Sequence, residues 1–119
     1  MAQYRVGDIV LMPFPFSGES AYKHRPALIL ASWSYAGGTD YLTCLITTQP
    51  AKDPYLTEII RQDTEGGYLA QSCYLRPTYL FATGEHLISR KLDRLMPEKM
   101  NAVIQTIVQV LTASANASG

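Results

Sequence analysis

Three basic side chains, Lys23, His24 and Arg25, stand side by side in a loop between two apolar runs, and the second run begins directly after them. Pro26 restricts Arg25 to an extended backbone, and an arginine fixed in that way can direct its planar guanidinium at a phosphate group. Lys23 and His24 could add positive charge or carry a proton. Taken alone, the three residues fit a solvated loop better than a site, because charged side chains are mostly exposed.

A second segment, "CLITTQ", ends an apolar run in polar side chains, Thr47 and Gln49 among them. Hydroxyl and amide groups at the end of a strand can bond a phosphate oxygen or a ribose hydroxyl. Ordinary strand-end polarity explains the same residues without any ligand. The segment alone therefore leaves both interpretations open.

In a third segment, "SCYLRPTYLF", Arg76 precedes a proline and is flanked by Tyr74 and Tyr79. Arginine beside aromatic rings is typical of proteins that bind single-stranded RNA, through phosphate contacts and stacking on bases. Tyrosines at this spacing also serve as the wall and core of a small barrel. Again the residues permit both interpretations.

Other chemistries leave little trace in the sequence. It has no glycine-rich phosphate loop, no histidine or carboxylate cluster with metal-ligand spacing and no nucleophile elbow. His86 is a lone histidine in a polar turn, which points to no catalytic role. We therefore expect no metal and no cofactor, and any catalysis should use arginine, histidine, threonine or serine.

Composition limits the class of protein. The chain has 119 residues, of which 47% are hydrophobic and 17% charged, with a formal net charge of zero. This suits one globular domain and argues against a long electrostatic footprint on duplex DNA. Cys44 and Cys73 lie in apolar runs and resemble buried free thiols. No stretch is long and apolar enough to span a membrane, and the first residues lack a secretory signal core, so we expect a soluble cytoplasmic protein.

The order of elements predicts a mainly β domain with one C-terminal helix. Short apolar runs broken by glycine and proline ("DIVLM", "PALILAS", "YLTCLIT", "LTEII", "SCYLRP" and, less regularly, "HLISRKLDRL") indicate strands of a small barrel or a curled sheet. From Pro97 the period becomes helical, with apolar residues at Met100, Val103, Ile104, Ile107, Val110 and Leu111. Residues 1–112 should form a single domain, and the small polar residues 113–119 should form a disordered tail.

Taken together, these segments resemble the MazF/PemK family of toxins from bacterial type II toxin–antitoxin systems. The resemblance is carried by "GDIVLMPFPFSG", "KHRPALILAS", "CLITTQ", "SCYLRP" and "SRKLDRLMPEKMNAV", in this order, over about Tyr4 to Leu111. It implies an SH3-like β-barrel that forms a homodimer and cleaves single-stranded RNA at short preferred sequences without a metal. In that chemistry the ribose 2′-hydroxyl attacks the adjacent phosphate and leaves a cyclic phosphate and a free 5′-hydroxyl.

The resemblance also assigns roles to residues. Arg25 matches the family's arginine before proline, and an arginine suits the role of phosphate stabiliser and donor better than that of a base. Thr47 matches a threonine that holds the scissile phosphate. Gln49 and Arg76 match positions that contact RNA or serve at the site, and Ser72 lies within one residue of a family position that approaches the RNA.

The sequence departs from the family pattern beside Arg76. Thr78 stands where many members have an acidic residue, and Phe81–Ala82 replaces a common Arg-Thr pair. Because that acidic residue serves as the base in some members, we expect His24 to take its place beside Arg25. The basic loop, with Lys23, and the Pro13–Phe16 segment, with Phe16, would then form one wall of an RNA groove.

The resemblance further implies a cognate antitoxin as partner. Three other interpretations stay open. The barrel could bind RNA or an antitoxin without catalysis. It could be a gyrase-inhibiting toxin like CcdB, although it ends in "ANASG" and lacks the Trp-Gly-Ile end on which that toxin depends. It could also be an SH3-like peptide-binding module, which explains the fold but not the set Arg25, Thr47 and Gln49.

Overall fold

The computed structural model of the chain describes residues 2–14, 23–67 and 72–118. These residues form one antiparallel sheet and one long helix, with short 3₁₀ turns at Arg61–Asp63 and Glu85–Leu87. The elements are β1 (Asp8–Phe14), β2 (Lys23–Tyr35), β3 (Gly38–Thr47), β4 (Thr57–Ile59), β5 (Cys73–Gly84), β6 (Arg90–Arg94) and α1 (Pro97–Ser118).

The six strands lie in the order β4-β5-β3-β2-β1-β6, and each paired neighbour is antiparallel. The sheet curls until its two ends meet. The amide of Glu65, after β4, donates to the carbonyl of Arg94 at 2.8 Å, and the amide of Met96, after β6, donates to the carbonyl of Asp63 at 2.7 Å. The predicted small curled β-structure with a C-terminal helix is confirmed.

The sheet has a hydrophobic core on each face, because successive strand residues point to opposite sides. On β2, Leu28 belongs to the core that also holds Met100 and Val103 of α1. Ala27 and Ile29 belong to the second core, together with Tyr41 of β3. The predicted helix thus covers one face of the sheet, and the second face extends toward the end of the strands where Arg25 lies.

The start of β2 differs from the prediction. Lys23, His24 and Arg25 are not in a loop but are the first three residues of the strand. They pair with Phe14, Pro13 and Met12 of β1, so the β1–β2 ladder continues past the apolar runs that marked the strands in the sequence. The loop assignment was wrong because three adjacent basic residues look like a turn, whereas strand pairing with β1 determines their backbone.

Strand β6 is shorter than the alternating segment that predicted it, because residues 85–87 form a 3₁₀ turn. Its mixed polarity has a structural cause. Arg94 Nη1 lies 2.8 Å and Lys91 Nζ lies 3.3 Å from the Oδ1 atom of Asp8, whose side chain is buried. The charges of β6 are therefore partly used to pair a buried carboxylate, as burial of a charge requires.

Helix α1 begins at Pro97, as predicted, and runs to Ser118. It therefore includes residues 113–118, for which the sequence predicts a tail; the Ser114 hydroxyl donates to the carbonyl of Val110 at 2.9 Å within this last part of the helix. Of the predicted apolar face, Met100 and Val103 are buried, whereas Ile104 and Leu111 are exposed. The helix thus packs against the sheet mainly through its first half.

Both cysteines are free thiols and are buried, as the sequence predicted. Burial raises the pKa of Cys44 to about 12, and it also raises the pKa of Cys73. Neither thiol is therefore suited to act as a nucleophile at neutral pH. Across residues 2–14, 23–67 and 72–118, no helix has both the length and the apolar character needed to cross a membrane.

Candidate functional site

A cleft of about 340 Å³ lies at the end of β2 and β3, and we call it the basic cleft. Four of the predicted site residues line it, although they come from three separate segments. Its lining consists of Arg25, Leu45, Thr47, Gln49, Pro50, Ala51, Arg76 and Tyr79. The structure thus brings two arginines, a threonine hydroxyl and a glutamine amide into one cavity.

Strand pairing places the first two of these groups. Ala27 of β2 pairs with Leu45 of β3, and both side chains belong to the same core. Arg25 lies two residues before Ala27, at the start of β2, and Thr47 lies two residues after Leu45, at the end of β3. Because the strands are antiparallel, both positions lie at the same end of the sheet, outside this core. Because side chains two apart share a face, Arg25 and Thr47 point the same way as this core pair and meet at its edge.

The Thr47 hydroxyl is oriented by the chain that follows it. The backbone amide of Gln49 donates to Thr47 Oγ1 at 3.1 Å. A hydroxyl that accepts in this way still carries its own proton. Thr47 can therefore donate a hydrogen bond to an oxygen atom in the cleft, with its own oxygen held by Gln49.

Arg76 enters the cleft because β5 is irregular beside it. Cys44 and Leu45, adjacent on β3, pair with Leu80 and Arg76 on β5, so residues 77–79 are extra on the β5 side. Such bulges bend a strand and redirect its side chains, often beside active sites. Here the bulge returns Tyr79 toward Arg76, whose guanidinium carbon lies 5.6 Å from the ring centroid of Tyr79.

The sequence analysis missed the carboxylate beside this cleft. Asp53 lies in the segment between β3 and β4, and its Oδ2 atom is 2.6 Å from the Thr78 hydroxyl and 3.5 Å from Arg76 Nε. The hydrogen bond from Thr78 holds the pKa of Asp53 below its usual 3.8, helped by the Tyr55 amide and Arg76 and opposed by burial. The separation of 23 positions between Asp53 and Arg76 explains why no local pattern joined them.

Not every predicted site residue reaches the cleft. His24 is exposed, and strand alternation directs its side chain away from the face that carries Arg25. Lys23 is exposed on the same face as Arg25, beyond the lining of the cleft. Ser72 is exposed directly before β5 and does not line the cleft. Phe16 lies outside the described residues.

A second cleft, of about 410 Å³, lies at the other end of β3 and contains Tyr35, Asp40, Glu85 and His86. We call it the acidic cleft, because its carboxylates carry its charge. The Tyr35 hydroxyl donates to Asp40 at 2.9 Å. The Tyr41 hydroxyl donates to Glu85, and this bond, followed by one from the Gln3 amide, lowers the pKa of Glu85. Phosphate groups would be repelled here.

In the described residues, no group of three or more histidine, cysteine, aspartate or glutamate side chains is arranged to hold a metal ion. The donors of the basic cleft are instead N–H and O–H groups. These are the groups that bind anionic oxygens, and arginine does so with a planar fork of donors.

The fold and the cleft together define a small protein with one curled antiparallel sheet, one C-terminal helix and a basic cleft at the end of two strands. A family model described as "PemK-like, MazF-like toxin of type II toxin-antitoxin system" matches residues 5–111. The chain belongs to this family.

Solved structures support the fold. One, described as an endoribonuclease from Mycobacterial species, is 17% identical, with a TM-score of 0.66 and coverage of 94% of each chain. Another, described as an endoribonuclease in complex with its cognate antitoxin from Mycobacterial species, is 17% identical, with a TM-score of 0.65 and coverage of 89% of this chain and 92% of that one. No curated protein sequence matches the chain significantly.

Proposed function

We propose that this chain is a metal-independent, sequence-specific endoribonuclease, the toxin of a type II toxin–antitoxin pair, that cleaves single-stranded RNA in the cytoplasm. The observation that carries the proposal is the shared cleft, in which Arg25, Thr47, Gln49 and Arg76 converge. Membership of the toxin family and the fold shared with two endoribonucleases support it.

The proposed reaction needs no metal and no cofactor, and solvent water can carry the proton from the 2′-hydroxyl to the 5′-oxygen. The 2′-oxygen forms a bond to phosphorus, the bond from phosphorus to the 5′-oxygen breaks, the 2′-hydroxyl loses its proton and the 5′-oxygen gains one. The products are a 2′,3′-cyclic phosphate and a 5′-hydroxyl. Negative charge grows on the phosphate oxygens as the new bond forms, so donors aimed at those oxygens accelerate the step.

Five residues of the cleft have roles in this scheme. Arg25, which a proline and the β1 ladder hold at the edge of the core, stabilises the charge on the phosphate. Thr47 donates a hydrogen bond from its hydroxyl to a phosphate oxygen. Arg76 supplies a second cation, and Tyr79 offers a ring on which a base can stack. Gln49, exposed at the mouth, contacts the base or the ribose.

The number of cations in the cleft fits a short RNA contact. Two arginines line it, and Lys23 lies beyond it on the same face. A protein with zero net charge can bind a few phosphates through such a local patch, although it lacks the field for a long one. Exposed Ser72 lies on the chain that leads into β5 and is proposed to contact the RNA outside the cleft.

We propose that the toxin forms a homodimer. On α1, Ile104, Val108 and Leu111 are 37%, 47% and 60% exposed and follow one another at helical spacing. A second copy would remove this apolar stripe from water. A charge in the stripe, as in Leu111→Glu, should lower the mass measured by light scattering, whereas Gln109→Glu, on an exposed position of the same helix, should not.

We also propose a cognate antitoxin as partner, as in one of the two related structures. A segment with acidic side chains would complement Arg25 and Arg76 and block the basic cleft. Such a segment should inhibit cleavage competitively with RNA.

The test is cleavage of a long single-stranded RNA in excess chelator, with Arg25→Ala and, as a matched control, Arg90→Ala on the exposed part of β6. The proposal predicts discrete cuts with 5′-hydroxyl ends for the wild type and for Arg90→Ala. It predicts a loss of about a hundredfold or more for Arg25→Ala. A wild type that binds RNA but does not cut it would instead support a barrel that binds without catalysis, for which the Thr78 departure gives a reason.

A further inference from the structure

The side chain of Asp53 is the buried charge nearest to the basic cleft. It is only 3% exposed, and it is not part of the cleft lining. The Tyr55 amide donates to its Oδ1 atom at 2.9 Å, while its Oδ2 atom faces Thr78 and Arg76. A buried carboxylate needs such partners to remain charged, and these partners lie on the β5 bulge or close to it.

Arg76 is held from two sides. Its Nε atom lies 3.5 Å from Asp53 Oδ2, and the face of its guanidinium lies over Tyr79. The contact with Asp53 uses one of five N–H donors, so the terminal nitrogens remain as the donors that can turn to a phosphate. An arginine side chain loses rotamer entropy when it is fixed, and here the contacts with Asp53 and Tyr79 restrict it before RNA binds.

Thr78 is the link between the bulge and the carboxylate. At 2.6 Å, its hydroxyl bond to Asp53 is short, as bonds to a charged acceptor are. This bond is also the main reason for the lowered pKa of Asp53, so the carboxylate is charged at neutral pH. Arg76 and Thr78 are thus tied to one anion across the Pro77 bend.

From this geometry we propose that Asp53 is a positioning residue, which acts through Thr78 and Arg76 to hold the Arg76 guanidinium toward RNA phosphate in the basic cleft. This rests on the proposed function of the cleft. Asp53 itself does not line the cleft, so it does not take the proton of the 2′-hydroxyl, and its low pKa would make it a weak base.

The substitution Asp53→Asn keeps the size of the side chain and removes its charge. We expect kcat to fall by about tenfold to a hundredfold, since a misplaced catalytic group costs rates of this order. The KM should stay constant or fall, because the loss of a negative charge near the phosphate path favours RNA binding. A merely structural role would instead lower the amount of folded protein and leave kcat per folded molecule unchanged.

A second variant that restores the carboxylate tests the proposal more specifically. Because the Thr78 oxygen lies 2.6 Å from Asp53 Oδ2, a carboxylate at position 78 would bring its charge close to the same place. Thr78→Asp added to Asp53→Asn should therefore restore most of kcat. Asp40→Asn is the matched control, since Asp40 accepts a hydroxyl hydrogen bond in the acidic cleft and should leave kcat unchanged.

A second readout does not depend on RNA cleavage. The Nε–H signal of Arg76 in nitrogen-15 NMR should be protected from exchange in the wild type, lost in Asp53→Asn and regained in the double variant. Normal kcat in Asp53→Asn, or an unchanged Arg76 signal, would overturn the positioning role. If the wild type cuts no RNA, the proposed function fails, and the Arg76 signal alone decides whether Asp53 holds the arginine.

Discussion

The two clefts at opposite ends of β3 have similar size and opposite charge. The basic cleft holds Arg25 and Arg76 in about 340 Å³, and the acidic cleft holds Asp40 and Glu85 in about 410 Å³. Size alone would favour the acidic cleft as a binding site. Charge reverses that choice for a phosphate ligand, because donors attract it and carboxylates repel it.

The clefts also differ in how their polar groups are used. In the acidic cleft the tyrosine hydroxyls of Tyr35 and Tyr41 already donate to Asp40 and Glu85, so these groups satisfy one another. In the basic cleft the Thr47 hydroxyl accepts from the Gln49 amide and can still donate a hydrogen bond of its own. The difference teaches that a candidate site is marked by donors aimed at a cavity, more than by the cavity itself.

Among the variants that compare the two clefts, the largest effect should come from removing a threonine hydroxyl. Thr47→Val takes away a donor to the phosphate and should lower kcat by about a hundredfold, the usual cost of one such donor. Thr39→Val, in the acidic cleft, loses only the 2.9 Å bond between Thr39 and Ser34 and should cut RNA as the wild type does. Single-turnover cleavage rates measure both. Equal losses in the two variants would contradict the comparison.

Removing the Arg76 cation from the basic cleft should lower kcat about as much as Asp53→Asn does, and it should also weaken RNA binding. Arg76→Gln should weaken RNA binding and reduce the slope of log K against log salt by about 0.7, the contribution of one phosphate contact on a single strand. Affinity measured at several salt concentrations gives the slope. Arg90→Gln, on exposed β6, is the control. An unchanged slope for Arg76→Gln would mean that Arg76 contacts no phosphate.

The two histidines provide a smaller contrast still. His24 was predicted as the general base, but it is exposed and directed away from the face of Arg25. We therefore expect His24→Ala to lower cleavage by less than about tenfold, below the usual contribution of a general base. His86→Ala, in the acidic cleft, should have no effect. A steep loss of cleavage rate in His24→Ala, with intact RNA binding, would restore the predicted role. The pH dependence of the cleavage rate between about pH 5 and 8 would then also change in this variant.

The smallest effect concerns the carboxylate beside each cleft. The pKa of Asp53 is lowered, so its contribution to stability is fully present above pH 3.8 and is lost as the pH falls through the lower pKa of the folded protein. Asp53→Asn should therefore melt at a lower temperature than the wild type at pH 7. This difference in melting temperature should disappear in strong acid. Glu85→Gln should give a difference of the same sign, because hydrogen bonds from Tyr41 and the Gln3 amide lower the pKa of Glu85. A difference in melting temperature between Asp53→Asn and the wild type that does not change with pH would contradict this account.

The sequence predicted the fold more completely than it predicted the details of the site. Apolar runs and a change of period at Pro97 located the strands and the helix. The resemblance to the toxin family named Arg25, Thr47, Gln49 and Arg76, which do share a cleft. The place of Asp53 beside the cleft could not be predicted from the sequence. Its contacts depend on the bulge after Arg76, and a bulge leaves no periodic signal in the sequence. The role given to His24 followed from adjacency to Arg25, and adjacency in a strand places two side chains on opposite faces.

The most direct test of the central claim locates RNA on the protein. In a short RNA with 2′-O-methyl groups, the 2′-oxygen cannot attack the phosphate. Such an RNA can be titrated into the labelled protein while backbone amide signals are followed by NMR. The account predicts saturable shifts at Thr47, Gln49 and Arg76 and none at Gly38 or Gly84 of the acidic cleft. Shifts confined to the acidic cleft, or no shifts with an RNA that the protein cleaves when unmodified, would contradict it.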